Sequence, residues 1–141
     1  MNDETLKIDD LGILVVEDSR EMRKILQGML TELGINQVFL AKDGMEALLF
    51  LGDCYDMIDV VMADWNMPNM DGSELLRQIR GADPDIPFIM ITGRADKDSV
   101  VEARSQGVSS YIVKPFSIEQ LESKLSVMAR ILEASRMQLL S

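Results

Sequence analysis

The chain contains no histidine in its 141 residues. That excludes imidazole acid–base catalysis, histidine metal ligation and phosphohistidine from this chain. It has one cysteine, Cys54, so an internal disulfide is excluded and a reducing compartment is the natural setting. No apolar run approaches the roughly 18 residues of a membrane span. Positive charge is scarce. The 14 Lys and Arg stand against 24 Asp and Glu, a net charge of −10. Nucleic acids and anionic membranes are bound through Lys and Arg, so neither is an expected partner. The opening Met1-Asn2-Asp3-Glu4-Thr5 is polar and acidic rather than a secretory leader. A cytoplasmic protein is expected.

What remains is a 47% apolar chain with no repeat and no linker-like stretch, enough for one domain with its own core. After a polar lead-in over residues 1–11, five short apolar runs recur at 13–17, 37–41, 59–63, 87–92 and 110–113. Amphipathic segments separate and follow them. Met22, Ile25, Leu26, Met29, Leu30 and Leu33 trace one face of a helix, and Gly34 suits its left-handed end. Gly107 suits the end of a fourth helix. Asp43 with Glu46, Asp71 with Glu74, and Ser117 with Gln120 have capping-box spacing, and Phe116 can staple onto Leu121. Ile118, Leu121, Leu125, Met128 and Leu132 form the apolar face of a last helix. Strands alternating with helices predict an α/β fold, a doubly wound parallel sheet covered on both faces. A domain over residues 12–133 is expected. Residues 134–141 read either as a frayed tail or as an extension of the last helix into a dimer contact.

Ligands of such sheets lie beyond the carboxyl ends of the strands. Glu17 and Asp18 close the first apolar run, Asp64 the third, Thr92 the fourth, and Lys114 the fifth. Three carboxylates brought together repel unless a cation intervenes. Hard oxygen ligands suit Mg²⁺, with Mn²⁺ as a substitute. Asp18, Asp64 and the backbone carbonyl of Asn66 can supply ligands, with Glu17 acting partly through water. Asp64 can serve as a nucleophile without a general base, because a carboxylate is already ionised. Lys114 can hold a phosphoryl oxygen and the Thr92 hydroxyl can donate to another. Lys114-Pro115 admits a cis peptide that would aim the lysine inward. Each residue also has an ordinary reading. Asp18 fits a cap for the first helix, with Glu21 at the matching position, and Asp71 fits a cap better than a ligand.

Glu17-Asp18, Asp64-Trp65-Asn66-Met67-Pro68, Thr92 and Lys114-Pro115-Phe116 resemble the receiver domain of bacterial response regulators, most of all its single-domain chemotaxis members. The resemblance runs from about residue 10 to residue 132. It implies the flavodoxin-like (βα)5 sandwich with strand order 2-1-3-4-5, as in flavodoxin and the chemotaxis receivers. It implies Mg²⁺-dependent transfer of phosphate from a histidine kinase or phosphotransfer protein to Asp64. It also implies a switch in which Thr92 moves toward the phosphoryl group and Tyr111 turns inward. That remodels the face of helix 4, strand 5 and helix 5 for a downstream effector. A stand-alone switch is expected rather than a turnover enzyme, either monomeric or weakly dimeric once phosphorylated. Trp65 is placed to report metal or phosphate by fluorescence. Arg94 and Ser19 depart from the chemotaxis pattern, which has an acid and an aromatic there.

Two other readings have definite requirements. A haloacid-dehalogenase-like phosphatase needs a second acid two residues after the nucleophile, and residue 66 is Asn. A flavodoxin-like electron carrier needs a hydroxyl- and glycine-rich phosphate loop after the first strand, where this chain has Glu17-Asp18-Ser19-Arg20-Glu21.

Overall fold

The computed structural model describes residues 5–93 and 97–140, the side chains of residues 97 and 140 excepted. The five apolar runs form β1 (Gly12–Val16), β2 (Gln37–Ala41), β3 (Val60–Asp64), β4 (Phe88–Thr92) and β5 (Ser110–Val113). The helices are α1 (Arg20–Glu32), α2 (Gly44–Cys54), α3 (Gly72–Ala82), α4 (Lys97–Ser105) and α5 (Ile118–Leu140). All pairings are parallel and the order is β2-β1-β3-β4-β5, the expected flavodoxin-like sheet.

β1, β3 and β4 are buried at every position, which is why they are continuous apolar runs rather than alternating ones. Alternation appears instead in which face each residue serves. Leu14, Val16, Val61 and Ala63 point toward α2 and α3, with Ala47, Leu75 and Leu76. Ile13, Val15, Val60 and Met62 point toward α1 and α5, with Leu26, Leu30 and Leu125. Leu125 is wholly buried, so its truncation to Ala would cost about 2–5 kcal/mol.

The helix ends follow local chemistry. Ser117 and Gln120 form a reciprocal box: Gln120 N–H donates to Ser117 Oγ at 3.1 Å and Ser117 N–H to Gln120 Oε1 at 2.8 Å. Asp43 and Asp71 cap α2 and α3 through the N–H groups of Glu46 and Glu74. Their boxes are only half closed, because Glu46 reaches back to the N–H of Lys42 and Glu74 turns to Arg77 and Gln78. Gly34 and Gly107 have φ of 88° and 102°, the left-handed ends expected of them.

Three details differ from the sequence reading. Ser19, not Asp18, caps α1, its Oγ accepting the Met22 N–H at 3.2 Å. That leaves the Asp18 carboxylate free of helix duty. Ile25 is 48% exposed, so the apolar face of α1 is narrower than its spacing suggested. The described part of the lead-in is anchored: Leu6 and Ile8 pack onto the core on the α5 side, and Leu6 N–H meets Glu133 Oε2 at 3.4 Å. α5 continues to Leu140, so the described part of the C-terminal segment is helical.

Candidate functional site: a carboxylate crevice

The chain leaves β1 at Val16 and goes to α1 on one face of the sheet. It leaves β3 at Asp64 and goes to α3 on the other. The two strands are neighbours, so their exits diverge and open a crevice at their carboxyl ends. Glu17, Asp18 and Asp64 meet there. One carboxylate oxygen from each lies within 4.8 Å of the others. Glu17 is 1% exposed and Asp64 7%, while Asp18 stands at the open mouth.

Lys114 enters from the end of β5. Its Nζ lies 3.0 Å from Glu17 Oε1 and 3.3 Å from Asp64 Oδ2. The Lys114–Pro115 peptide is cis. The other oxygens of the buried acids are also held: Ser19 N–H donates to Glu17 Oε2 at 3.0 Å and Asn66 N–H to Asp64 Oδ1 at 3.1 Å. Thr92 is 3% exposed at the end of β4, and its carbonyl accepts the Lys114 N–H at 2.8 Å. The ends of β1, β3, β4 and β5 thus converge. Tyr111 lies two residues before the Thr92 register position on β5, half-buried, with Lys124 Nζ 5.1 Å from its ring centroid. Asn66 is exposed, two residues beyond Asp64.

Among the described residues the charges do not balance: three carboxylates share one ammonium. Burial raises the Asp18 pKa above the ordinary carboxylate value, and the hydrogen bond and charge of Glu17 add to the shift. Burial opposes charge on Lys114, yet the Glu17 hydrogen bond and the Asp64 charge outweigh it, and its pKa is raised. An uncompensated carboxylate at an open mouth, beside two buried ones, is the donor set of a hard divalent cation. Glu17, Asp18 and Asp64 therefore fit Mg²⁺.

Two supports were not visible as site residues in the sequence. Arg23, in the first turn of α1, donates through Nη1 to the carbonyls of Glu17 (2.7 Å) and Asp18 (3.1 Å), fixing the acid pair from behind. Its signal was its place one turn after Ser19. Gly72 lets the loop after Asp64 close. Its N–H donates to the Trp65 carbonyl at 3.0 Å, and a Cβ there would meet Trp65 Cα at 2.8 Å and the Asp64 carbonyl at 2.9 Å. Arg94 lies outside the described residues.

The response regulator receiver domain model matches residues 13–126. The chemotaxis protein CheY-3 of Vibrio cholerae is 43% identical over 121 residues, which cover 82% of this chain and 89% of that protein. Among solved structures, Vibrio cholerae CheY4 superposes with a TM-score of 0.78 at 30% identity, over 84% of this chain and 98% of that one. The CheX-CheY-BeF3-Mg²⁺ complex of Borrelia burgdorferi contains a chain with a TM-score of 0.77 at 31% identity, over 82% of this chain and 86% of that one.

Proposed function

Because the chain belongs to the response regulator receiver domain family, we propose that Asp64 is its phospho-acceptor, served by Mg²⁺ and by Lys114 and Thr92. The observation that carries this reading is the meeting of Glu17, Asp18 and Asp64 around one lysine at the switch point of the sheet. An Asp64 oxygen attacks phosphorus, an O–P bond forms, and the bond from phosphorus to the donor breaks. The donor is a phosphohistidine on a separate kinase or phosphotransfer protein, since this chain has no histidine. Asp18, Asp64 and the Asn66 carbonyl, with Glu17 partly through water, would hold the Mg²⁺, which when bound offsets charge on the transferring group. Lys114 Nζ turns from Asp64 toward a phosphoryl oxygen, and the Thr92 hydroxyl donates to another. Catalysis is positioning and charge neutralisation, with no acid–base step required.

The product is a signal carried on the protein rather than a released compound. Thr92 and Tyr111, on neighbouring strands, are the pair through which it reaches the face of α4, β5 and α5. The partner on that face is a protein effector. The 43% identity to CheY-3 supports chemotaxis as the pathway it serves. Among the described residues no helix is long and apolar enough to cross a membrane, in keeping with a cytoplasmic site of action.

The test is incubation with acetyl phosphate and Mg²⁺, read by intact-protein mass. One phosphoryl group is expected, none with EDTA, and none in Asp64→Asn. Labelling of Asp64→Asn at the parent level would assign the nucleophile elsewhere.

A further inference from the structure

We propose that α2 is the centre of a second docking surface, one that takes a cationic amphipathic helix of a partner protein. α2 lies on the far side of the sheet from α1 and α5 and is built unlike α3, the helix beside it. Exposed positions of α3 are Arg77, Gln78, Gly81 and Ala82, with no large apolar side chain among them, as a helix with one buried stripe requires. α2 instead presents Met45 and Leu49, one turn apart, 62% and 66% exposed. Such residues scattered singly mean little, but these two adjoin further apolar surface. On one flank a cleft of about 210 Å³ runs between α2 and α3, walled by Leu48, Leu51, Tyr55, Ile79, Ala82 and Ile86. On the other flank Leu49 joins Phe50 and Cys54. The result is an apolar ridge beside an apolar groove, the shape on which the apolar face of a helix is seated. Methionine adds adaptability at such a surface.

The charge around it selects the occupant. From Asp43 to Asp56, along and just beyond α2, the chain carries four acids and no Lys or Arg. Glu46, Asp53 and Asp56 lie along or just beyond α2, Asp83 lines the groove, and Asp85 lies beside it. On α3, Arg77 is engaged by Glu74, and Arg80 donates to the carbonyls of Asp83 and Gly107. A second copy of this chain would bring the same acids face to face and be repelled. A helix whose apolar stripe is flanked by Lys or Arg would meet both the ridge and its rim. This surface does not use the carboxylate crevice, so it stands or falls independently of phosphorylation at Asp64.

The test uses the full ¹⁵N-labelled chain and two synthetic amphipathic peptides with the same Leu face, one rimmed with Lys and one with Glu. The Lys-rimmed peptide is expected to bind saturably and to shift the amides of α2 and of Gln78–Ala82. The Glu-rimmed peptide should bind at least about tenfold more weakly. Leu49→Lys, at an exposed position that leaves the core untouched, should weaken the Lys-rimmed peptide by roughly tenfold or more, and Met45→Gln by several-fold. Amide shifts scattered over the acids, shifts confined to α4, β5 and α5, or equal binding by the Leu49→Lys chain would overturn the proposal. So would shifts of the α2 amides with protein concentration alone, which would make a second copy the occupant.

Discussion

The two ends of the sheet hold similar groups and use them in opposite ways. At the carboxyl ends of the strands, Glu17, Asp18 and Asp64 share Lys114 and, among the described residues, leave negative charge over. At the amino ends, Asp83 is matched several times. The Tyr55 hydroxyl donates to its Oδ2 at 2.5 Å, and the N–H groups of Asp85 and Ile86 donate to Oδ1 at 2.8 and 3.0 Å. Arg80 donates to the Asp83 carbonyl at 3.2 Å and, through Nη2, to that of Gly107 at 2.8 Å. The pKa shifts run in opposite directions. Asp18 is raised, by burial and by Glu17. Burial also opposes charge on Asp83, but the Tyr55 and backbone hydrogen bonds and the Arg80 charge outweigh it and the pKa is lowered. An acid whose charge is satisfied fastens loops together. An acid left unsatisfied beside two buried ones is a position that a cation would stabilise.

The comparison can be sharpened by removing one group at a time from metal-free protein. Lys114→Ala should cost most. It leaves two buried carboxylates facing each other, and the loss of such a partner is reduced here because the lysine side chain is 25% exposed. A destabilisation of about 2 kcal/mol in urea unfolding is expected, partly restored by Mg²⁺. If Lys114→Ala is neutral, the ammonium does not balance the crevice.

Asp83→Ala comes next, at about 1 kcal/mol near neutral pH. The sign with pH follows from the lowered folded pKa. The stabilisation is fully present above the unfolded value of 3.8 and is lost as pH falls through the lower folded value. The gap between parent and variant should therefore close in acid. A gap independent of pH would mean that shape rather than charge is lost.

Asp18→Asn should have the smallest effect and the opposite sign. It removes repulsion, so the metal-free variant should melt about one or two degrees higher than the parent. A fall in Tm would show that Asp18 is already satisfied.

Much of the crevice was legible because each of its groups directly follows an apolar run. Strand periodicity and the rule that ligands lie at carboxyl ends place Glu17, Asp18, Asp64, Thr92 and Lys114 at one end without any long-range information. The amino-end cluster was not legible. Tyr55 and Asp83 are 28 residues apart, Arg80 and Gly107 are 27 apart, and none carries a local signature of pairing. The cap of α1 was misread for a related reason. Asp18 and Ser19 are both good capping residues, and the choice was made by the buried Glu17, which takes the Ser19 N–H and turns the chain there. Ile25 fits a helical spacing, yet its angle around α1 leaves it outside the contact with the sheet.

The most direct measurement is calorimetric titration of the metal-free chain with Mg²⁺, run beside Asp18→Asn and Asp83→Ala. One site is expected in the parent, weakened by about tenfold or more in Asp18→Asn and unchanged in Asp83→Ala. Equal binding by Asp18→Asn, or equal losses in both variants, would contradict the claim that uncompensated charge at the strand ends makes the site.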